Sequence, residues 1–143
     1  PDYSQCGDIP TFENIYRIAK SRIVSNWLLL ECNILVIPNV TYANENYFDV
    51  MLDGMENTEV VAFSVKGLLR ETSEKELLLK AIRYTIDNLK SLKKIIVYSV
   101  SSSDEKVMSL FEYALSKGII IIIPNNILKE RNIINKKVVV SNG

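Results

Sequence analysis

The fold is decided by a strand, a helix and a second strand that follow one another: EVVAFSVKG (59–67), SEKELLLKAIRYTIDNL (73–89) and KIIVY (94–98). Both short runs are apolar without alternation, which is typical of parallel strands covered on both faces. The segment between them predicts an amphipathic helix whose buried stripe consists of Leu78, Ile82, Ile86 and Leu89. This order predicts a parallel pair of strands joined by a crossover helix.

Apolar runs on both sides of this unit predict two more strands. They are Ile34–Ile37, which Pro38 stops, and the isoleucine run Ile119–Ile123. Together with Val60–Val65 and Ile95–Tyr98 they would form a mostly parallel, open sheet. The sequence therefore predicts a single α/β domain in which helices flank the sheet in Rossmann-like layers.

Apolar residues at helical spacing predict two further helices. The first begins at Thr11 as N-cap, ends near Glu31, and has a stripe that should lie in the core: Phe12, Tyr16, Ala19, Ile23, Trp27 and Leu30. Because Tyr16 and Trp27 share this stripe, both are interpreted as core residues rather than as a base-stacking platform. The second helix should bury Val107, Met108, Phe111, Ala114 and Leu115.

Shorter signals predict where several elements begin and end. Two capping boxes, Ser73 with Glu76 and Ser102 with Glu105, predict helix N-termini. Gly118 suits the left-handed position after a helix, and Asp53-Gly54 suits a turn. One helical turn is expected around Tyr47–Leu52, and Val138–Val140 is expected to be a short edge strand or a remnant of an expression boundary.

The composition excludes several classes of protein. Seventeen basic and seventeen acidic residues balance, so net charge signals neither nucleic acid nor an anionic membrane as a partner. The absence of histidine excludes Ser-His-Asp and Cys-His catalysis and His-ligated zinc. Cys6 and Cys32 have no CxxC spacing and are expected to be reduced thiols. No apolar run nears the ~18 residues of a membrane helix, so a cytoplasmic protein is expected.

Polar residues follow each predicted strand, at the edge where open α/β sheets bind their ligands. Asn39 and Tyr42 follow the first predicted strand, and Ser64, Lys66 and Gly67 end the second. Lys66, with Arg70 after it, is a candidate contact for a phosphate or a carboxylate. Neither GxGxxG nor GxxxxGK[ST] occurs, which disfavours the two standard nucleotide loops. Loop chemistry alone also accounts for polar strand exits.

Carboxylates outside the predicted helices are the candidates for catalysis. Asp2 and Asp49 could hold Mg²⁺ or share acid/base work if the fold brings them together. No metal site is predicted from ligand spacing, and no cofactor is indicated.

Several ordered motifs resemble a known family. They are PDYS (1–4) with Ile9-Pro10, NIYR (14–17) with Ser21-Arg22, VIPNVTY (36–42), YFD (47–49) with Asp53-Gly54, and VVAFS (60–64) with Gly67. Together they are similar to the domain of unknown function 4417 family of bacteria, phages and mobile elements. The resemblance runs from Pro1 to about Tyr98.

The resemblance implies a site and a chain start, but no reaction. In that family a strand usually precedes the first motif, so this chain is expected to start inside the domain and to lack its first strand. Tyr42 stands where the family has tryptophan, Tyr47 where it has serine, and Val65 where it has threonine. These departures weaken any shared polar constellation.

Nine residues are predicted to converge at the carboxyl ends of neighbouring strands: Asp2, Ser4, Asn14, Arg17, Asn39, Tyr42, Asp49, Ser64 and Gly67. Asn14 and Arg17 share a helix face and should point at the same neighbour. Arg17 either contacts a ligand or pairs with Asp2 or Asp49.

Three functions remain open at this point. The first is an accessory domain of a phage or mobile element that binds a small polar or anionic ligand, such as a nucleotide or a nucleic-acid end. The second is a metal-dependent hydrolase or transferase that uses Asp2 and Asp49. The third is a protein-interaction module, which would show a large apolar surface patch and no polar cavity.

Overall fold

The computed structural model describes residues 3–67 and 71–141, and gives the backbone alone for residues 136–141. Its centre is a parallel sheet of three strands: β1 (Val60–Ser64), β2 (Lys94–Tyr98) and β3 (Ile120–Ile122). The strands lie in the order β1-β2-β3, with Lys94 paired both with Val60 and with Ile120. The prediction of a single α/β domain with a parallel sheet is confirmed.

Helices alternate with these strands along the chain. They are α1 (Thr11–Leu30), α2 (Phe48–Met51), α3 (Thr72–Asn88), α4 (Asp104–Met108), α5 (Glu112–Ser116) and α6 (Ile127–Ser141). Short 3-10 turns, Glu45–Tyr47 and Ser109–Phe111, precede α2 and α5. The helical turn predicted around Tyr47–Leu52 is confirmed. Within the described ranges, none of the helices has the length and apolar character that crossing a bilayer requires.

One face of the sheet carries the core. Right-handed crossovers that step along a sheet in one direction leave their helices on the same face, and here both crossovers step the same way. Side chains on that face are buried in one cluster with α3 and the 3-10 turn before α5: Val61, Phe63, Ile95, Val97, Leu78, Ile82 and Phe111. The predicted stripe of the central helix is confirmed, because Leu78, Ile82, Ile86 and Leu89 are all buried.

The opposite face of the sheet is open, so the prediction of strands covered on both faces is wrong. Tyr98 is 40% exposed, and Ile120 and Ile122 are 56% and 39% exposed. The apolar run that predicted a fully buried strand forms the edge strand β3, because no crossover in the described residues steps back across this face.

The predicted strand Ile34–Ile37 does not form. Pairing with β1 is limited to a parallel bridge between Asn39 and Ala62, in which the Ala62 N–H donates to the Pro38 carbonyl and the Val40 N–H donates to the Ala62 carbonyl. The next pair toward the N-terminus would need an N–H at position 38. Proline has none, so Pro38 ends the ladder where the apolar run was expected to continue it.

The predicted stripe of α1 faces solvent instead of the core. Tyr16 and Trp27 are 56% and 55% exposed, so their interpretation as core residues is wrong. The buried residues of α1 are Asn14, Ile18 and Ser21, on the other side of the helix. Hydrogen bonds made by Asn14 and Arg22 hold that more polar side inward.

Helix starts differ from the predicted caps by one or two residues. Pro10, not Thr11, is the N-cap of α1, and Glu71 is that of α3, so Ser73 lies inside the first turn and makes no capping box. The N-cap of α4 is Ser103, whose hydroxyl accepts from the Lys106 N–H at 3.4 Å, rather than Ser102. Adjacent serines are equivalent as caps, and the path of the chain selects between them.

The predicted glycine turns are confirmed. Gly118, which follows α5, has a φ of 75°, and Gly54 has a φ of 74° in the turn after α2. Both lie in the left-handed region, which glycine enters without steric cost.

Two predictions for the C-terminal third are wrong. Val138–Val140 lies within α6 rather than in an edge strand. Asn126 accounts for the start of that helix, because its side-chain oxygen accepts from the Lys129 N–H at 3.0 Å. Leu115 is 43% exposed, whereas Val107, Phe111 and Ala114 are buried as expected.

Candidate functional site

A cavity of about 350 Å³ opens at the carboxyl end of β1. Its lining combines one cation, one anion, several uncharged polar groups and three apolar side chains. The ten residues are Ser4, Gln5, Val40, Thr41, Tyr42, Ala43, Ser64, Lys66, Glu74 and Leu77. Its volume falls within the ~300–1,000 Å³ that is usual for small-molecule sites.

Four separate parts of the chain build this cavity, three of which meet at the carboxyl end of β1. The end of β1 supplies Ser64, and Lys66 follows two residues later. Residues 40–43 reach the same edge because the bridge at Asn39 aligns them parallel to β1. Glu74 and Leu77 come from the first turns of α3, the helix that follows β1. A strand end and the start of its crossover helix always meet at this edge of a parallel sheet, which explains the location.

The N-terminal segment closes one side of the cavity and is held there by Asn14. This side chain is fully buried. Its oxygen accepts from the Cys6 N–H at 3.2 Å, and its nitrogen donates to the Cys6 carbonyl at 2.7 Å and to the Tyr47 hydroxyl at 3.2 Å. The paired bonds to Cys6 fix the backbone next to Gln5.

Arg17 lies one helical turn further along α1 and holds the same segment. Its Nη1 donates to the Ser4 carbonyl at 2.6 Å, and its Nε donates to Glu13 at 2.9 Å. Arg17 and Asn14 thus share a neighbour, the segment of residues 4–6. Both are positioning residues, since neither lines the cavity.

The Tyr42 hydroxyl, which like any tyrosine is neutral at physiological pH, keeps its proton to higher pH here because the residue is partly buried. Removal from water raises the pKa of Tyr42 above its ordinary value, and the negative charge of Glu74 raises this pKa further. The phenol ring packs edge-on against Phe48, with ring centroids 5.7 Å apart. Tyr42 therefore offers the cavity a neutral O–H group at any physiological pH.

Among the described residues, one buried polar atom of the cavity wall has no hydrogen-bond partner. The side-chain nitrogen of Gln5 donates to the Thr41 hydroxyl at 2.8 Å, but its oxygen, Oε1, is buried and unpaired. A buried acceptor without a donor costs free energy of about 1–3 kcal/mol. The Gln5 amide is therefore a group that a hydrogen-bond donor would stabilise.

A family model described as Domain of unknown function (DUF4417) matches residues 1–114. The chain belongs to the DUF4417 family. No curated protein and no solved structure matches it. The matched residues include all ten that line the cavity, so the cavity is part of the DUF4417 domain.

Four of the predicted site residues meet in the DUF4417 cavity, namely Ser4, Tyr42, Ser64 and Lys66. Asn39 and Gly67 adjoin the lining residues Val40 and Lys66 in the sequence but do not themselves line the cavity. Asn39 forms the bridge to β1, and Gly67 follows Lys66 with a φ of 86°. Asp2 and Arg70 lie outside the described residues.

Asp49 lies apart from this cavity. Its carboxylate accepts a hydrogen bond from the Tyr84 hydroxyl at 2.9 Å, and this bond raises the pKa of Tyr84. Arg17 pairs with Glu13 and not with Asp49. In the ranges 3–67 and 71–141, no three carboxylate or cysteine side chains come together in a way that could hold a metal ion.

Three polar lining residues, Gln5, Thr41 and Glu74, are not among the predicted site residues. Gln5 and Thr41 lie next to the predicted site residues Ser4 and Tyr42 in the sequence, but an uncharged side chain in a loop gives no separate signal. Glu74 lies between Ser73 and Glu76, the two residues of a predicted capping box, and such a box predicts an exposed helix end rather than a cavity wall. Its position just after β1 was the signal that could have found it, because the first turn of a crossover helix faces the ligand edge.

Proposed function

We propose that this DUF4417 domain binds a small polar ligand at the carboxyl end of β1. The observation that supports the proposal is the cavity lined by Lys66, Glu74, Tyr42 and the unpaired Gln5 oxygen. Sites of this size that carry a few convergent polar groups usually orient one small molecule. The proposed setting is the cytoplasm, in an accessory protein of a phage or mobile element, as the family resemblance suggests.

The lining favours a ligand with both acceptors and donors. The Lys66 ammonium and the Ser64 and Tyr42 hydroxyls can donate to a phosphate or a carboxylate. The Glu74 carboxylate and Gln5 Oε1 accept only, so the other end of the ligand should carry N–H groups. A mononucleotide with an exocyclic amine on its base combines both features, and is the ligand class that we favour.

Thermal unfolding in the presence of AMP, GMP, CMP and UMP tests the proposal. A ligand at one hundred times its Kd adds about 2.7 kcal/mol to the free energy of unfolding, which raises Tm by several degrees. We expect AMP, GMP or CMP to raise Tm more than UMP, whose base lacks an exocyclic amine. No rise with any of the four would contradict the proposal.

Two variants test which side chain contacts the phosphate and which contacts the base of the ligand. Lys66→Ala should abolish the advantage of a nucleotide over its nucleoside, and Glu74→Gln should reduce the preference for bases with an exocyclic amine. Lys106→Ala is the matched control for charge, because Lys106 is an exposed lysine on α4, outside the cavity. An equal loss of binding in Lys66→Ala and Lys106→Ala would indicate nonspecific attraction.

The alternative of a metal-dependent hydrolase or transferase stays a prediction. It rests on Asp2 and Asp49, of which Asp2 lies outside the described residues and Asp49 accepts from Tyr84. No contact in the described ranges favours it over ligand binding.

A further inference from the structure

Helix α1 exposes a continuous apolar surface, which we name the α1 stripe. In five of its members more than half of the residue is accessible: Phe12 at 74%, Tyr16 at 56%, Ile23 at 66%, Trp27 at 55% and Leu30 at 77%. Ala19, which is also exposed, completes the series Phe12, Tyr16, Ala19, Ile23, Trp27 and Leu30. These residues follow one another at intervals of three or four, so they form one line along the helix.

The orientation that exposes the stripe is held by contacts on the other side of α1. Asn14 is anchored to the backbone of Cys6, and the Arg22 guanidinium donates to the carbonyls of Met51 and Asp53 at 2.8 and 3.0 Å. Rotating α1 to bury the stripe would break all of these bonds and expose Ile18, which is 5% exposed. The stripe is therefore a surface that the fold presents to its surroundings.

Two more exposed apolar residues follow the end of α1 in the chain. Asn33 takes the left-handed conformation, with a φ of 51°, and the Ile34 N–H donates to the Leu28 carbonyl at 2.9 Å, which turns the chain back at this point. Ile34 and Leu35 follow directly and are 50% and 85% exposed.

The size of this surface matches what one partner contributes to a stable dimer. Aromatic side chains offer roughly 150–250 Å² each, so three of them more than half exposed, together with Ile23 and Leu30, present on the order of 600 Å². Counted on both copies, this area reaches about 1,200 Å², the lower end of the total that a standard interface buries. Isolated monomers seldom leave so much contiguous apolar area in water.

Charge and spacing favour a second copy of this chain as the occupant. No stripe position carries a charge, so the facing rows of two copies would be uncharged, and Lys20 lies beside the stripe with its Nζ 5.9 Å from the centroid of the Tyr16 ring. Helices pack by interdigitating rows of side chains spaced three and four apart, and an identical helix offers the matching rows. A two-fold axis would bury both stripes in one contact.

We propose that the α1 stripe is the interface through which two copies of this chain form a symmetric dimer. The cavity at the end of β1 does not line this surface, so the proposal is independent of the proposed ligand.

Sedimentation velocity of the full 143-residue chain over a wide micromolar range tests the dimer. We expect the wild-type mass to approach twice that of the monomer as concentration rises. Ile23→Lys and Trp27→Lys should each leave the chain monomeric at concentrations where the wild type is dimeric, with unchanged circular dichroism. Ile120→Lys is the matched control, because Ile120 is also an exposed isoleucine, on β3, and this variant should dimerise like the wild type.

A cross-link provides a second measurement that does not depend on the lysine variants folding. In a Cys6→Ser, Cys32→Ser background, Ala19→Cys lies mid-stripe and should form a disulfide-linked dimer faster than Lys90→Cys, which lies beyond the end of α3. A wild type that stays monomeric, dimers that persist in both stripe variants, or equal cross-linking at the two cysteines would overturn the proposal. A monomer that binds anionic lipid vesicles through Trp27 would overturn it as well, in favour of a membrane surface.

Discussion

The surroundings of Tyr42 in the cavity wall raise the pKa of its hydroxyl. Burial, helped by Glu74, raises the pKa of its phenol above the value of about 10 that tyrosine has in an unfolded chain. A raised pKa means that the folded state holds the proton more tightly than the unfolded state does. The resulting stabilisation is complete below about pH 10 and is lost as pH rises from there through the folded pKa.

The Tyr42→Phe variant tests this linkage. Above about pH 10, the free energy of unfolding of the wild type should fall with pH more steeply than that of the variant, by up to ~1.4 kcal/mol per pH unit. Chemical denaturation from pH 8 to about pH 11 measures both slopes. Tyr16→Phe controls for other alkaline effects, because Tyr16 is exposed on α1. Parallel profiles for the wild type and Tyr42→Phe would show that burial of Tyr42 does not govern its proton.

Helices α4 and α6 are linked by an ion pair of unequal exposure. The Lys129 side chain on α6 is 7% exposed, whereas that of Asp104 on α4 is 51% exposed, and Lys129 Nζ lies 2.6 Å from Asp104 Oδ1. Asn126, just before α6, and Asn132 on α6 donate to the carbonyls of Ser99 and Val100 in the loop between β2 and α4. Because the two partners differ in burial, removing Asp104 leaves a buried charge without a partner, whereas removing Lys129 leaves an exposed carboxylate in water.

We expect Asp104→Asn to cost more stability than Lys129→Met. The first leaves a buried ammonium without its counter-charge, which should cost about 1–3 kcal/mol, since solvent at Asp104 screens part of the pair. The second removes the buried charge but keeps most of the stem volume, so its cost should stay within about 1 kcal/mol. Glu105→Gln, on the same exposed turn, is the control in urea denaturation. The reverse order would mean that the packing of the lysine stem, not its charge, links the helices.

At the scale of the whole molecule, the two faces of the sheet differ in burial. Ile95 on β2 is fully buried under the helices, whereas its neighbour Ile96 points to the open face and is half-buried. The same substitution at these two positions therefore compares the two faces with the backbone held constant.

Ile95→Ala should lower the free energy of unfolding by about 2–5 kcal/mol, because it leaves a cavity in the core. Ile96→Ala should cost about 1 kcal/mol or less, since solvent can fill the space. Urea denaturation at low protein concentration gives both values. Equal costs would show that a second layer covers the open face in solution.

The candidate site was predictable where it depends on chain order alone. Residues that follow a parallel strand collect at one edge of the sheet, so Ser64, Lys66 and Tyr42 could be chosen from the sequence, and Ser4 from a family motif. Asn14 and Arg17 are predicted as ligand contacts, and in the structure both bind the backbone of residues 4–6 and neither lines the cavity. A sequence shows that two side chains share a helix face, but not whether a ligand or the chain's own backbone occupies the space in front of them.

The sequence by itself determined the β-α-β unit, the parallel sheet and the buried stripe of α3. These follow from local periodicity and from the right-handed crossover, which act within a few dozen residues. Only the tertiary structure decided which side of α1 turned inward, because both of its sides carry apolar residues. Hydrogen bonds from the side chains of Asn14 and Arg22 to the backbone of Cys6 and Met51 hold the other side of the helix inward. The tertiary structure also decided that Ile34–Ile37 stays unpaired. The N–H that Pro38 lacks matters only where β1 lies beside this segment and would accept a hydrogen bond from position 38.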